Sequence, residues 1–197
     1  MLVAAKPAGL LAVPGRGADK ADCLAFRVQA AWPDALAVHR LDMATSGLML
    51  FGRGATAQRQ LSAAFAERRV IKTYVAVVQG LMRQDAGQID LPLSADWPRR
   101  PRQQVDTLSG RPSRTLWRVL ERDPARQLSR LELEPVTGRT HQLRVHLAAL
   151  GHPILGDALY ATGAALLAPR LMLHAQSLQL DHPVHGSRMH WAWPAEF

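Results

Sequence analysis

The chain has 197 residues, and 24 Lys and Arg against 16 Asp and Glu give it a formal charge of +8. An apolar fraction of 48% with 20% charged residues excludes a largely disordered or collagen-like chain. The single cysteine, Cys23, excludes an internal disulfide, a CxxC redox pair and a cysteine-based zinc site. A domain of this size buries about 70% of its unfolded surface and needs no staple to fold. No run approaches the ~20 apolar residues of a membrane span, so no membrane partner is expected. Met1–Pro7 lacks the pattern of a secretory signal, so the expected compartment is the cytoplasm. The positive balance suits a polyanionic partner.

In chain order, Leu2–Ala5 is predicted as a strand, stopped by Lys6-Pro7-Ala8-Gly9. Leu10–Val13 is a short apolar run before Pro14-Gly15. Asp22–Ala31 is predicted as a helix and Leu48–Phe51 as a strand. Thr56–Arg69 has amphipathic spacing, with Leu61, Ala64 and Phe65 on one face and Thr56 as N-cap. Lys72–Val78 alternates as a strand, placing Tyr74, Ala76 and Val78 on one side. Gly80–Arg102 is punctuated by Gly and Pro and reads as loops with a short strand or two. Arg114–Leu120 and Ser129–Glu134 form a strand pair around the link 121–127. Thr140–Leu150 is a helix with a buried stripe of Leu143, His146, Leu147 and Leu150, closed by Gly151. Leu171–Trp193 has strand-like pieces around Pro183. Strands with few helices and no regular βα rhythm predict an α+β fold, a mainly antiparallel mixed sheet flanked by helices and loops.

No Gly-rich phosphate loop, H-E-x-x-H or G-x-S-x-G motif is present, so no cofactor and no metal is expected. His141 and His146 lie about 140° apart on the predicted helix and cannot easily share an ion. Two segments concentrate chemistry. In His39-Arg40-Leu41-Asp42-Met43-Ala44-Thr45-Ser46-Gly47, an acid sits in a polar turn just before an apolar strand, preceded by two bases. In Pro135-Val136-Thr137-Gly138-Arg139-Thr140-His141-Gln142-Leu143-Arg144, donors gather at a helix start, where an anion is well received. Between them, Arg99, Arg100 and Arg102 with Trp97 make a basic and aromatic loop suited to backbone contact and stacking with a polyanionic partner.

These segments resemble the RluA family of pseudouridine synthases. Lys6-Pro-Ala-Gly-Leu-Leu, Lys72-Thr-Tyr-Val-Ala, the loop Asp96–Gln104 and Gly151-His-Pro-Ile-Leu-Gly-Asp agree too, in the family's order over nearly the whole chain. Only Met1–Ala5 precedes the Lys-Pro motif, where relatives commonly have another strand. There is no room for an S4-type accessory domain, so residues 1–197 are read as one pseudouridine synthase catalytic domain with an active-site cleft that must hold RNA itself.

The resemblance implies an isomerase that needs no cofactor and acts on uridine in 23S ribosomal RNA and the anticodon stem-loop of transfer RNA. A monomer is the default for so small an enzyme. The resemblance also implies site roles. Asp42 is the catalytic carboxylate, Arg144 pairs with it, and Tyr74 stacks on the target base and assists proton removal at C5. Arg40 fills the gap left by the everted nucleotide. His39, Trp97, Arg99, Arg100, Arg102, Arg139 and His141 contact RNA. Two alternatives stay open. One is a non-catalytic RNA-binding module using the same basic surface. The other is a glycoside hydrolase drawing its second acid from Glu132, Glu134 or Asp157.

Overall fold

Leu2–Lys6 forms β1 and runs antiparallel to β3, Ser46–Arg53, from Leu2 opposite Phe51 to Lys6 opposite Gly47. The computed structural model describes residues 1–15, 17 and 20–197. Contacts divide these residues into two compact units, Met1–Lys72 with His174–Glu196, and Thr73–Leu173 with Phe197.

In the first unit, β3 outruns its predicted bounds because both of its ends find partners. β2, Ala35–Ala37, pairs with Phe51–Arg53, and β10, Leu173–Asp181, joins in parallel at Ser46 and Gly47. Every β3 residue from Ser46 to Gly52 is buried, the continuous pattern of a strand covered on both faces. Gly47 has φ +125°, and a Cβ there would lie 2.4 Å from the backbone N of Ala175, so only glycine permits this strand contact. β11, Arg188–Ala192, completes the tail as a hairpin with β10.

Two helices flank these strands. α1, Leu24–Ala31, starts later than predicted, because Cys23 is its N-cap and accepts the Phe26 N–H through Sγ at 3.3 Å. Asp22 instead forms an exposed ion pair with Arg27 at 2.7 Å. α2 is Gly54–Ala66, not Thr56–Arg69. The backbone turns helical straight after β3, so Arg53 stands at the N-cap position and Thr56 lies in the first turn. Arg68 at φ +60° ends it. Leu61 and Ala64 pack with Leu48, Leu50, Val70 and Leu178 as the core, and Phe65 covers its margin.

The second unit holds an antiparallel sheet in the order β4 (Ile71–Gln79), β9 (Leu128–Pro135), β8 (Arg114–Asp123) and β5 (Ala86–Asp90), in which only the paired strands β8 and β9 are neighbours in sequence. The first two residues of β4 belong to the first unit. β8 and β9 extend beyond prediction, with a bulge between Val119 and Glu121. β6, Leu93–Ala95, and β7, Gln103–Val105, form a separate ribbon that carries a 3-10 turn at Trp97–Arg99.

α3 is Gln142–Ala149, shorter than predicted because His141 adopts a left-handed φ of +53° ahead of it. Gly151 closes it at φ +81°, as expected. The predicted stripe is too narrow, since Gln142, Arg144 and Val145 are buried as well, while Leu150 is 41% exposed. Burial nearly all round is tolerated because the polar groups are paired. His146, for example, meets Thr115 Oγ1 at 2.9 Å and the Leu91 carbonyl at 3.0 Å.

Within each unit the described strand pairs are antiparallel except β3–β10, and the fold is the expected α+β class.

Candidate active site

His39, Arg40 and Asp42 lie together on the loop between β2 and β3. Asp42 is half-buried, and its carbonyl accepts the Thr45 N–H at 3.1 Å, closing a tight turn. The neighbouring Met43 carbonyl accepts the Gly9 N–H at 2.9 Å and Lys6 Nζ at 2.9 Å. Lys6 is fully buried, and Nζ also donates to the carbonyls of Pro7 at 2.9 Å and Leu10 at 2.7 Å. Three ammonium protons thus meet three acceptors. Burial pulls the Lys6 pKa down to about 8, and the negative charge of Asp42 acts against that fall. In the sequence, Lys6 stands out only as part of a motif. The available signal was a lysine at the inner end of an apolar strand, where a charge needs a reason.

The start of β3 is pinned from β10. Ser46 Oγ is 2.9 Å from His174 Nδ1, and His174 Nε2 is 2.8 Å from the Trp193 carbonyl. That carbonyl can only accept, so Nε2 carries the proton and Nδ1 takes the Ser46 hydroxyl proton. The Asp42 turn is therefore anchored within, at Met43, by Lys6 and just after it, at Ser46, by His174.

Arg40 is exposed. His39 is not laid out for RNA. Its Nε2 accepts the Leu50 N–H at 3.0 Å and its ring stacks on Phe65 at 4.5 Å. Burial first, and the charge of Lys72 second, push its pKa from 6.5 to about 3. Between those values the unfolded chain binds a proton here that the folded one refuses. Stability is therefore lost as pH falls from 6.5 toward about 3, and the loss levels off below. His39→Leu should flatten that acid limb by at most about 1.4 kcal/mol per pH unit. It also carries a pH-independent cost, because the Leu50 N–H loses its acceptor. Denaturation midpoints measured from pH 7 to 3 check this, and an unaltered limb would refute it.

In the second unit, Arg144 is buried and its Nε and Nη2 fork onto the two oxygens of Asp157 at 2.7 Å each. Asp157 also accepts the N–H groups of Leu159 at 3.0 Å and Tyr160 at 3.2 Å. Asp157 is thus a partner of Arg144 besides the one expected from the motif, Asp42, and is already engaged as a hydrogen-bond acceptor rather than held free as a hydrolase's second acid. Glu132, another candidate for that second acid, is paired with Arg118 at 2.9 Å.

The helix start is more self-contained than expected. Gln142 is buried, and its Oε1 accepts from the Arg139 N–H at 3.0 Å and Thr137 Oγ1 at 2.7 Å. Its amide donates to the Arg114 carbonyl at 2.9 Å. The half-buried Arg139 directs Nε at the Pro112 carbonyl at 3.4 Å. His141 Nδ1 lies 2.7 Å from the hydroxyl of Tyr160, a residue the sequence analysis did not single out.

Tyr74 is half-buried on β4, opposite Leu133. On the basic loop, Trp97 is 66% exposed and the Arg100 guanidinium covers its ring at 4.0 Å. The exposed Arg99 pairs with the buried Asp96 at 2.7 Å, which shapes the turn from inside. Arg102 lies over Tyr160 at 5.1 Å. Among the described residues, no three His, Cys, Asp or Glu side chains are grouped to hold a metal ion, and no helix is long and apolar enough to cross a membrane.

Residues 1–149 match the family model for RNA pseudouridylate synthase. The chain is 49% identical over 198 aligned positions to the dual-specificity RNA pseudouridine synthase RluA of Yersinia pestis, covering 100% of this chain and 96% of that one. It is 48% identical to the protein of the same description from Escherichia coli K12, covering 100% of this chain and 90% of the other. Its fold matches the solved human RNA pseudouridylate synthase domain containing 1 with a TM-score of 0.77 and 29% identity, over 96% of this chain and 85% of that one. The architecture is that of an RNA-modifying isomerase. The chain belongs to the RluA family of RNA pseudouridine synthases, which isomerise uridine in RNA.

Proposed function

We propose that this protein isomerises uridines in both 23S ribosomal RNA and the anticodon stem-loop of transfer RNA, with Asp42 acting at the ribose of the everted nucleotide. The dual-specificity description of its relatives supports the pair of substrates. The observation that carries the role of Asp42 is its setting, a half-buried carboxylate in a turn fixed by the Thr45 N–H and by the buried ammonium of Lys6. A carboxylate so placed can act at the sugar as a nucleophile or base, with the Lys6 ammonium close enough for the two charges to interact. In the reaction the N1–C1′ bond breaks and a C5–C1′ bond forms. C5 loses a proton and N1 gains one, so the mass does not change. Tyr74 takes the role of stacking on the base and assisting the loss of the C5 proton. Arg144 is assigned to the support of the catalytic carboxylate, as the motif match implies. Arg40 fills the stack, and extraction of the base costs a few kcal/mol that RNA contacts must offset. The protein acts as a monomer in the cytoplasm.

The test is incubation with uridine-containing transcripts of the two RNAs, with and without a chelator. Pseudouridine with no mass change, in equal yield under both conditions, is expected. Release of free uracil would instead mean hydrolysis, and binding without product would mean a recognition module.

The loop from Trp97 to Arg102 holds the RNA backbone in this reading, supported by three exposed or half-buried guanidinium groups and an exposed indole. Replacing Arg100 and Arg102 together by Gln should weaken RNA affinity and reduce the slope of log K against log salt by about 1.5 to 2. An unchanged slope would remove the loop from the RNA interface.

A further inference from the structure

We infer that Tyr160 is a positioning residue for RNA binding, a latch that holds the basic loop in its working shape through the backbone of Gln103. The inference rests on the reading of that loop as an RNA contact. Tyr160 lies outside the loop, beyond α3, yet its hydroxyl is 2.7 Å from the Gln103 backbone nitrogen. Gln103 is the first residue of β7 and follows Arg102 directly. It is where the loop returns to regular structure. Its N–H can only donate, so the phenol oxygen accepts.

The phenol's own proton then points to His141 Nδ1 at 2.7 Å. That bond places the proton of a neutral His141 on Nε2. Burial raises the phenol pKa, so the hydroxyl keeps the proton it donates. The ring is itself held at its base, where the Tyr160 N–H donates to Asp157 Oδ1 at 3.2 Å. Arg102 and Arg144 each bring a guanidinium to 5.1 Å from the ring centre. One side chain thus joins the exit of the loop, the residue that opens α3, and the buried Arg144–Asp157 pair.

Within the loop, the bonds among the described residues are short-range. Asp96 pairs with Arg99, and the Asp96 N–H donates to the Arg102 carbonyl at 3.0 Å. These fix the turn's own shape but not where it stands on the unit. Tyr160 adds a longer-range constraint to those of the β6–β7 pairing and the packing of β7 on α3. Pre-ordering a binding loop lowers the cost of association without touching the chemical step. Loss of the latch should therefore appear in KM and spare kcat.

Tyr160→Phe removes the hydroxyl and keeps the ring. Amide exchange at Gln103 should quicken by about five- to tenfold, the effect of one lost hydrogen bond. KM for the transcript should rise by a similar factor of about five to ten while kcat stays within about twofold. Unchanged exchange at Gln103 would overturn the latch. Faster exchange with an unchanged KM would overturn its link to RNA, provided the Arg100 and Arg102 double variant loses affinity. If that double variant also binds RNA normally, it is the loop's role as RNA contact that fails. A fall in kcat as large as the rise in KM would also overturn the inference, because it would place Tyr160 in the chemical step.

Discussion

Asp42→Asn is expected to abolish pseudouridine formation while leaving RNA binding largely intact. The substitution is nearly isosteric. The turn does not depend on the carboxylate, because the bond that closes it runs from the Thr45 N–H to the Asp42 carbonyl. What disappears is the negative charge and the lone pair that attack or deprotonate the ribose. Removing a nucleophile or its base in well-studied hydrolases costs on the order of 10^4 to 10^6 in rate, and a loss of that order is expected here. Lys6 records the same change from the other side. Without the neighbouring charge that opposes desolvation, its pKa falls further below about 8. Product assays on transcripts with parallel binding measurements decide the matter. Undiminished product would remove Asp42 from the mechanism, and lost binding with lost product would point to a misfolded turn.

Asp157→Ala is expected to be the most destabilising single change in the second unit. Its carboxylate serves four donors, two from Arg144 and the N–H groups of Leu159 and Tyr160. The side chains of Asp157 and Arg144 are 0% and 6% exposed, so solvent cannot replace what is lost. Breaking a buried pair by removing one partner costs about 3–5 kcal/mol. For a chain of this length that corresponds to a drop in Tm of about 10 °C or more. Replacing both partners, as Arg144→Met with Asp157→Leu, should recover part of the loss because no buried charge is left behind. Thermal melts of the two variants check this. A drop below about 1 kcal/mol for Asp157→Ala would show that the pair carries little of the fold's stability.

The elements legible in the sequence share a property. β4 and the β8–β9 pair were readable from alternation, and the apolar face of α2 from helical spacing, because such patterns involve residues two to four apart. The ends of elements were less legible. β3 grew because β2 and β10 pair with its ends, and α3 lost its first turn because His141 turned left-handed. Neither cause is written within a few residues of the place it acts.

The site divides in the same way. Asp42, Arg40 and the Trp97–Arg102 loop could be named from motif and composition, since acid, base and aromatic residues cluster in the chain itself. Lys6 could not be given a role, because its partner Met43 is 37 positions away. Ser46 and His174 are 128 positions apart, and Gln103 and Tyr160 are 57 apart. His39 was expected at the RNA and instead stacks on Phe65, a ring contributed by the following helix.

Read alone, the sequence determined the α+β class, the family and the residue types available for its chemistry, because each depends on local order along the chain. The tertiary structure decided that Asp157 is a buried partner of Arg144, which lysine shares the field of Asp42, and which tyrosine bonds the end of the basic loop. A buried charge or donor must find a partner wherever folding brings one within about 3 Å, and sequence distance places no limit on that choice.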